Sequence, residues 1–215
     1  MINTNARMFS RPRHEEPNVF HNNSSDPQIG KKVAMEFYEV IEARHSVRAF
    51  AENVISMATL EHILAAARRS PSASNKLPWR LVVVSDKHKR ELFAKSGTYG
   101  KFLAQSPIAL VGVADPTVAP KWYAVDTAIA LEHVVLAATA EGLGSCWVGS
   151  FDEATVKELI GAPESLKVVA IIALGYQRKA TDALGAANGL IRPTKSLDEL
   201  VCWENFSSPW SQHHD

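Results

Sequence analysis

Apolar residues recur along this chain at two spacings, and the switch from one to the other defines its elements. Val33, Phe37, Val40 and Ile41 follow the i, i+4, i+7, i+8 spacing of an amphipathic helix that stops before Arg44. Ser56 is placed to cap a second helix whose stripe is Leu60, Ile63, Leu64 and Ala67. Pro71 ends it near Arg69, because the residue before a proline avoids helical geometry. The run Leu81–Val84 predicts a buried strand, and Asp86 caps a short helix through about Lys95. Pro107–Ala114 predicts a second strand, Ser145–Gly149 a third and Lys167–Leu174 a fourth. Between them lie a helix from Trp122 to Glu141 and another from Asp152 to Ile160, closed by Gly161. The first of these is apolar on nearly every side, as expected of a core or interface helix, and Gly142 and Gly144 are expected to terminate it.

Residues 1–32 are polar and irregular and read as a flexible tail, and the domain is expected over 33–215. Beyond Gly175 the chain reads as a loop-like C-terminal arm with one short segment at Ser196–Val201. Helices alternate with strands and there is no repeat, so the expectation is one mixed α/β layer structure.

Composition narrows the function classes. Hydrophobic residues make up 46% and charged residues 21%, as in globular proteins. Lys+Arg and Asp+Glu are equal at 23, so no basic excess points to nucleic acid or a membrane surface. No apolar run is expected to reach the roughly 18 residues that a membrane span needs. Two cysteines, Cys146 and Cys202, fit a reducing compartment, and cytoplasm is the expected location.

Several signatures of chemistry are missing. Gly142-Leu143-Gly144-Ser145-Cys146-Trp147 begins like a dinucleotide fingerprint, but Trp147 stands where the third glycine belongs and the run follows a helix. The sequence holds no P-loop, no H-E-x-x-H, no C-x-x-C and no G-x-S-x-G, and its eight histidines are scattered. No metal site is expected.

Three segments are polar where a fold does not require it. In Arg44-His45-Ser46-Val47-Arg48, two guanidinium groups four residues apart suit a doubly charged phosphate, although a solvated helix end has the same composition. Ser70-Pro71-Ser72-Ala73-Ser74-Asn75-Lys76-Leu77-Pro78-Trp79 is either an ordinary turn or a stiffened loop whose Asn75 reads an amide-like ring edge. The glycines of Gly142–Gly149 let a flat ligand approach the backbone.

In this order and spacing, with Asp126 opening the long helix, Pro163 before the last strand and Ala173-Leu174-Gly175-Tyr176 ending it, the segments resemble the nitroreductase family of FMN enzymes over roughly 37–201. The resemblance implies an α+β fold, with a mostly antiparallel sheet of four to five strands flanked by helices, in an interlocked homodimer. It implies FMN bound at the dimer interface, NAD(P)H as co-substrate and a small-molecule acceptor. Arg44, His45 and Ser46 would then hold the phosphate and ribityl end, and Arg48 would lie near the pyrimidine. Pro71, Ser72, Ser74 and Asn75 would come from the partner subunit. Val148 and Gly149 would present backbone near the reactive nitrogen, with Lys195 and Arg192 on the phosphate.

Two departures stand out: Leu77 replaces a common glutamine, and the stretch between Gly97 and Trp122 is too short for the helical lid of some relatives. No catalytic side chain is expected, because the flavin carries the redox chemistry. Other family activities, such as reductive dehalogenation or enal reduction, and a flavin-storage role remain alternatives at this level.

Overall fold

Strands form where aliphatic residues run without interruption. The computed structural model describes residues 35–178 and 195–213; Val33 and the tail lie outside them. The chain divides into two compact units, Met1–Thr181 and Asp182–Asp215. The first contains α1 (Phe37–Ala43), α2 (Met57–Arg68), β1 (Trp79–Val84), α3 (Lys87–Lys95), β2 (Ile108–Ala114), α4 (Tyr123–Ala140), β3 (Gly144–Val148), α5 (Glu153–Ile160) and β4 (Lys167–Gly175). In the second, the expected short segment forms a helical turn, α6 (Leu197–Leu200).

The four strands lie in the order β1-β2-β4-β3, with every neighbouring pair antiparallel. All seven residues of β2 are buried, and consecutive ones serve opposite faces. Leu110 and Ile172 join Leu60, Ile63, Leu131 and Val134 under α2 and α4. Val111 and Ile171 join Phe93, Leu103 and Val156 under α3 and α5. Helices therefore cover both faces of an antiparallel sheet, in agreement with the expected α+β architecture.

Local chemistry starts and stops the helices as expected. Ser56 accepts from Thr59 N–H at 3.1 Å, and Asp86 and Asp152 do the same for Lys89 and Thr155 at 2.8 Å. Gly161 closes α5 with φ +67°. Arg90, buried on α3, donates to the carbonyls of Ser85, Ala104 and Ser106 and ties the helix to the turn before β2. Burial lowers its pKa against the raising effect of Asp86 and Glu91.

Three expectations are corrected. Gly142, at φ 73°, ends the stretch after α4 alone; Gly144 is the first residue of β3, where a Cβ would stand 2.6 Å from Val47 Cγ2. The stripe expected to bury α1 sinks only Val40, while Phe37 is 62% and Ile41 44% exposed, because no described element covers that side. Finally, α4 is long and apolar enough by length and composition to cross a membrane, with mean hydropathy 1.3 over 18 residues. Its packing is that of a core helix: Ala130, Leu131, Val134, Val135 and Ala138 are buried beneath the sheet and α2.

Acid should weaken this fold through α5. Hydrogen bonds from Thr155 hold the Asp152 carboxyl below its ordinary pKa. Burial raises that of Glu153, but the Val168 N–H and Lys157 and Lys167 bring it below the usual value. A carboxyl with a depressed folded pKa contributes stability above its unfolded pKa and loses it as pH falls through the folded value. Glu153→Gln should therefore lower the urea midpoint at pH 7, and the gap from the parent protein should narrow as pH falls below the ordinary glutamate pKa of about 4.3 and close below the depressed folded value.

Candidate functional site

The basic segment is built into the sheet. Val47 N–H donates to Ser145 O at 2.9 Å, and Ser46 bridges Ser145 in parallel, which pins the segment to the free edge of β3. The chain then crosses to the residues that follow β4, where Ala51 N–H donates to Tyr176 O and Ala49 O accepts Arg178 N–H. Val47 is 1% exposed and packs on Gly144, which lacks the Cβ that would collide with it. A solvated helix end would leave Val47, Ala49 and Phe50 in water; all three are buried.

Around this pin the polar side chains reach two separate cavities. Arg44, half-buried, caps α1 through its N–H to Val40 O at 3.0 Å. His45 Nδ1–H donates to Ala43 O at 2.9 Å and lines a cavity of 180 Å³ with Val47, Gly142, Leu143 and Gly144. Arg48 reaches Ser46 O at 3.5 Å and lines a second cavity, of 220 Å³, with Tyr99, Phe102, Cys146, Val148 and Gly149. The two cavities mark opposite ends of β3, four residues or about 14 Å apart along the strand. Gly149 is exposed, and nothing lies within 4 Å of where its Cβ would be. A guanidinium, an open glycine backbone and a shelf of buried apolar residues can hold a flat ring by its edge and face.

The serine-asparagine loop lies elsewhere in the subunit. It precedes β1, the edge strand opposite β3, so three strand spacings of about 4.8 Å separate it from the Arg48 cleft. Ser74, Asn75 and Leu77 have φ 52°, 52° and 47°, a cluster of left-handed residues without one glycine. Such strain persists only where neighbours enforce it. The buried Asp126 carboxylate does so, accepting Ala73 N–H at 3.1 and 3.2 Å. Ser72, expected to face a ligand, uses its Oγ to accept Leu77 N–H at 2.9 Å. The indole N–H of Trp79 and the hydroxyl of Ser70 are buried with no hydrogen-bond partner.

Of the residues expected at the phosphate, Lys195 is exposed in the second unit, immediately before the Ser196 cap of α6. Arg192 lies outside the described residues. Tyr99, Phe102 and Ser150 belong to the Arg48 cleft but carry no signal in the sequence beyond one aromatic between Gly97 and Gly100. Cys146 is buried on β3, and Trp147 donates to Glu132 Oε2 at 3.1 Å. His133 bonds back to Ile129 O within its own helix. Among the described residues, no group of His, Cys, Asp and Glu could hold a metal ion. A cavity of 1180 Å³ lies between α2 and the end of β1 and contains none of the expected site residues. Its walls combine aliphatic residues (Val54, Ile55, Met57, Leu60) with the charged Glu52, Glu61, Lys87 and Arg178.

Residues 41–97 and 91–176 match the family model described as the nitroreductase family. The chain belongs to the nitroreductase family. It is 33% identical over 154 residues to an Archaeoglobus fulgidus protein with the provisional name NADH dehydrogenase/NAD(P)H nitroreductase, covering 68% of this chain and 88% of that one. The crystal structure of a nitroreductase family protein from Clostridium novyi superposes with a TM-score of 0.65 at 32% identity, covering 84% of this chain and all of its counterpart. An FMN-dependent nitroreductase from Clostridium difficile superposes with a TM-score of 0.67 at 26% identity, covering 78% and 98%.

Two glycines beside the β3 cleft should respond unequally to one methyl group. Gly144→Ala drives a Cβ into Val47 and should cost about 1–3 kcal/mol in urea unfolding. Gly149→Ala meets open space and should change stability by no more than about 0.5 kcal/mol.

Proposed function

We propose that this chain is an FMN-dependent oxidoreductase that takes electrons from NAD(P)H and passes them, in a ping-pong sequence, to small organic acceptors such as nitroaromatics or quinones. The observation that carries the reading is the convergence of Arg48 with Val148 and Gly149 on one cleft. When bound, FMN supplies the hydride and electron chemistry, and the protein contributes binding, orientation and electrostatics.

Each residue then has a physical task. Arg44, His45 and Ser46, at the Gly144 end of β3, hold the phosphate and ribityl chain. Arg48 sets a fixed cation at the polar edge of the ring, where a partly desolvated site strengthens its field. Val148 and Gly149 offer backbone at the ring's reactive edge. The left-handed turn at Ser74 and Asn75, braced by Asp126, presents amide and hydroxyl groups from a second copy of the chain. A homodimer is supported by two features: that turn lies at the sheet edge opposite the cleft, and α1 leaves Phe37, Tyr38 and Ile41 bare.

A visible spectrum of the purified protein, followed by anaerobic titration with NADH and with NADPH, tests the reading. Bleaching of the flavin bands and steady turnover with a nitroaromatic or quinone are expected. A preparation that stays colourless after FMN is added rejects it, and bound flavin without turnover favours a storage role. Arg48→Ala should weaken FMN binding about ten- to a hundredfold, the effect of losing a charged hydrogen bond of about 1.5–3 kcal/mol. It should also lower the flavin midpoint potential; an unchanged potential rejects the electrostatic role.

Asp126→Ala should release the Ser72–Leu77 turn. Loss of the buried acceptor for Ala73 N–H should cost about 1–3 kcal/mol in thermal or urea unfolding. FMN affinity should fall with it if the turn faces the flavin.

A further inference from the structure

The mouth of the β3 cleft is formed by a turn that neither sequence motif nor family resemblance singles out. After α3, Ser96 O accepts Asp152 N–H at 2.8 Å, which ties the turn to the chain leaving β3. Gly97 lies so close to that chain that a Cβ on it would stand 1.8 Å from Ser150 O and 2.6 Å from its carbonyl carbon. Both atoms are backbone and cannot rotate aside. At the far end, Gly100 is buried, with its Cβ position 3.3 Å from Val148 Cγ1 and from Leu103 Cδ1. Held at both ends, the turn carries Tyr99, which is 78% exposed and still lines the cavity shared with Arg48, Val148 and Gly149. Between Gly97 and Trp122 the regular elements are one 3-10 turn, Lys101–Ala104, and β2; no α-helix stands over the cleft from this stretch.

We propose that Tyr99 is the acceptor-selecting wall of this site, favouring planar aromatic acceptors by stacking, and that Gly97 is the positioning residue that holds it there. The inference rests on the flavin reading above and adds the residue that chooses among acceptors. A tyrosine suits the task because its face is apolar and its hydroxyl remains in water, so exposure costs little while the cleft is empty. The contact at Gly97 is specific to the absence of a side chain. Any Cβ must push the turn away from Ser150 and carry Tyr99 off the cleft.

The test compares the parent protein with Tyr99→Ala, Tyr99→Phe and Gly97→Ala, each reconstituted with FMN and assayed at saturating NADH. One acceptor is flat, a nitrobenzoate; the other is ferricyanide, which has no planar face. The readout is the ratio of kcat/KM for the nitrobenzoate to that for ferricyanide, beside flavin content and Tm. Tyr99→Ala should lower the ratio about five- to tenfold through a higher KM for the nitrobenzoate, the size of one lost aromatic contact. Tyr99→Phe should retain it, because the ring remains. Gly97→Ala should lower it similarly although Tyr99 is present. An unchanged ratio in Tyr99→Ala overturns the proposal. A Gly97→Ala protein that loses Tm but keeps the ratio overturns the positioning role. If the parent protein neither binds FMN nor oxidises NADH, the flavin reading itself fails and this inference falls with it. Normal flavin turnover with a flat response across the variants defeats the inference alone.

Discussion

The Val47–Ser145 hydrogen bond is the contact from which the rest of the site follows. It fixes the basic turn to β3 at one point, before the chain crosses to the residues that follow β4. From this pin His45 lines one cavity with Gly142, Leu143 and Gly144, and Arg48 lines the other with Val148 and Gly149. The bond survives because Val47 drops into the core, and Val47 can do so only because position 144 has no side chain. One small residue on the strand thus orders a polar ligand set beside it.

Burial and strain are divided between two places. The β3 cleft is unstrained and open at Gly149, as a site that admits flat molecules must be. The Ser72–Leu77 turn holds three left-handed residues against a buried carboxylate and leaves an indole N–H and a hydroxyl without partners. A turn under such constraint is rigid before anything binds to it, and rigidity lowers the ordering cost of recognition. The two places lie at opposite sheet edges. Apolar residues are left bare on α1 and at the start of α4, including Phe37, Tyr38, Trp122 and Val125.

Much of this was legible in the residues themselves. Ser56, Asp86 and Asp152 each cap the helix their position announces, since an N-cap depends on three or four neighbouring residues only. The strands at Val84, Val111 and Ile171 were readable because a strand buried on both faces needs an unbroken aliphatic run. Periodicity could not tell parallel from antiparallel pairing, and it could not show that Gly144 opens β3, because a glycine's role depends on what approaches it. The membrane-length apolar character of α4 likewise acquires its meaning from the sheet beneath it.

By itself, the sequence determined the helices and strands, the three polar segments and, through their order, a family resemblance that the comparisons bear out. These properties are short-range, carried by caps, propensities and motifs of a few residues. The tertiary structure decided which of those segments share a cleft. It set Arg48 beside Val148 and Gly149, moved the serine-asparagine turn to the far edge, spent the Ser72 hydroxyl on its own turn, and brought Tyr99 to the mouth of the site. Contacts between residues fifty or a hundred positions apart depend on strand order and on where a missing side chain permits close approach, and no local pattern encodes either.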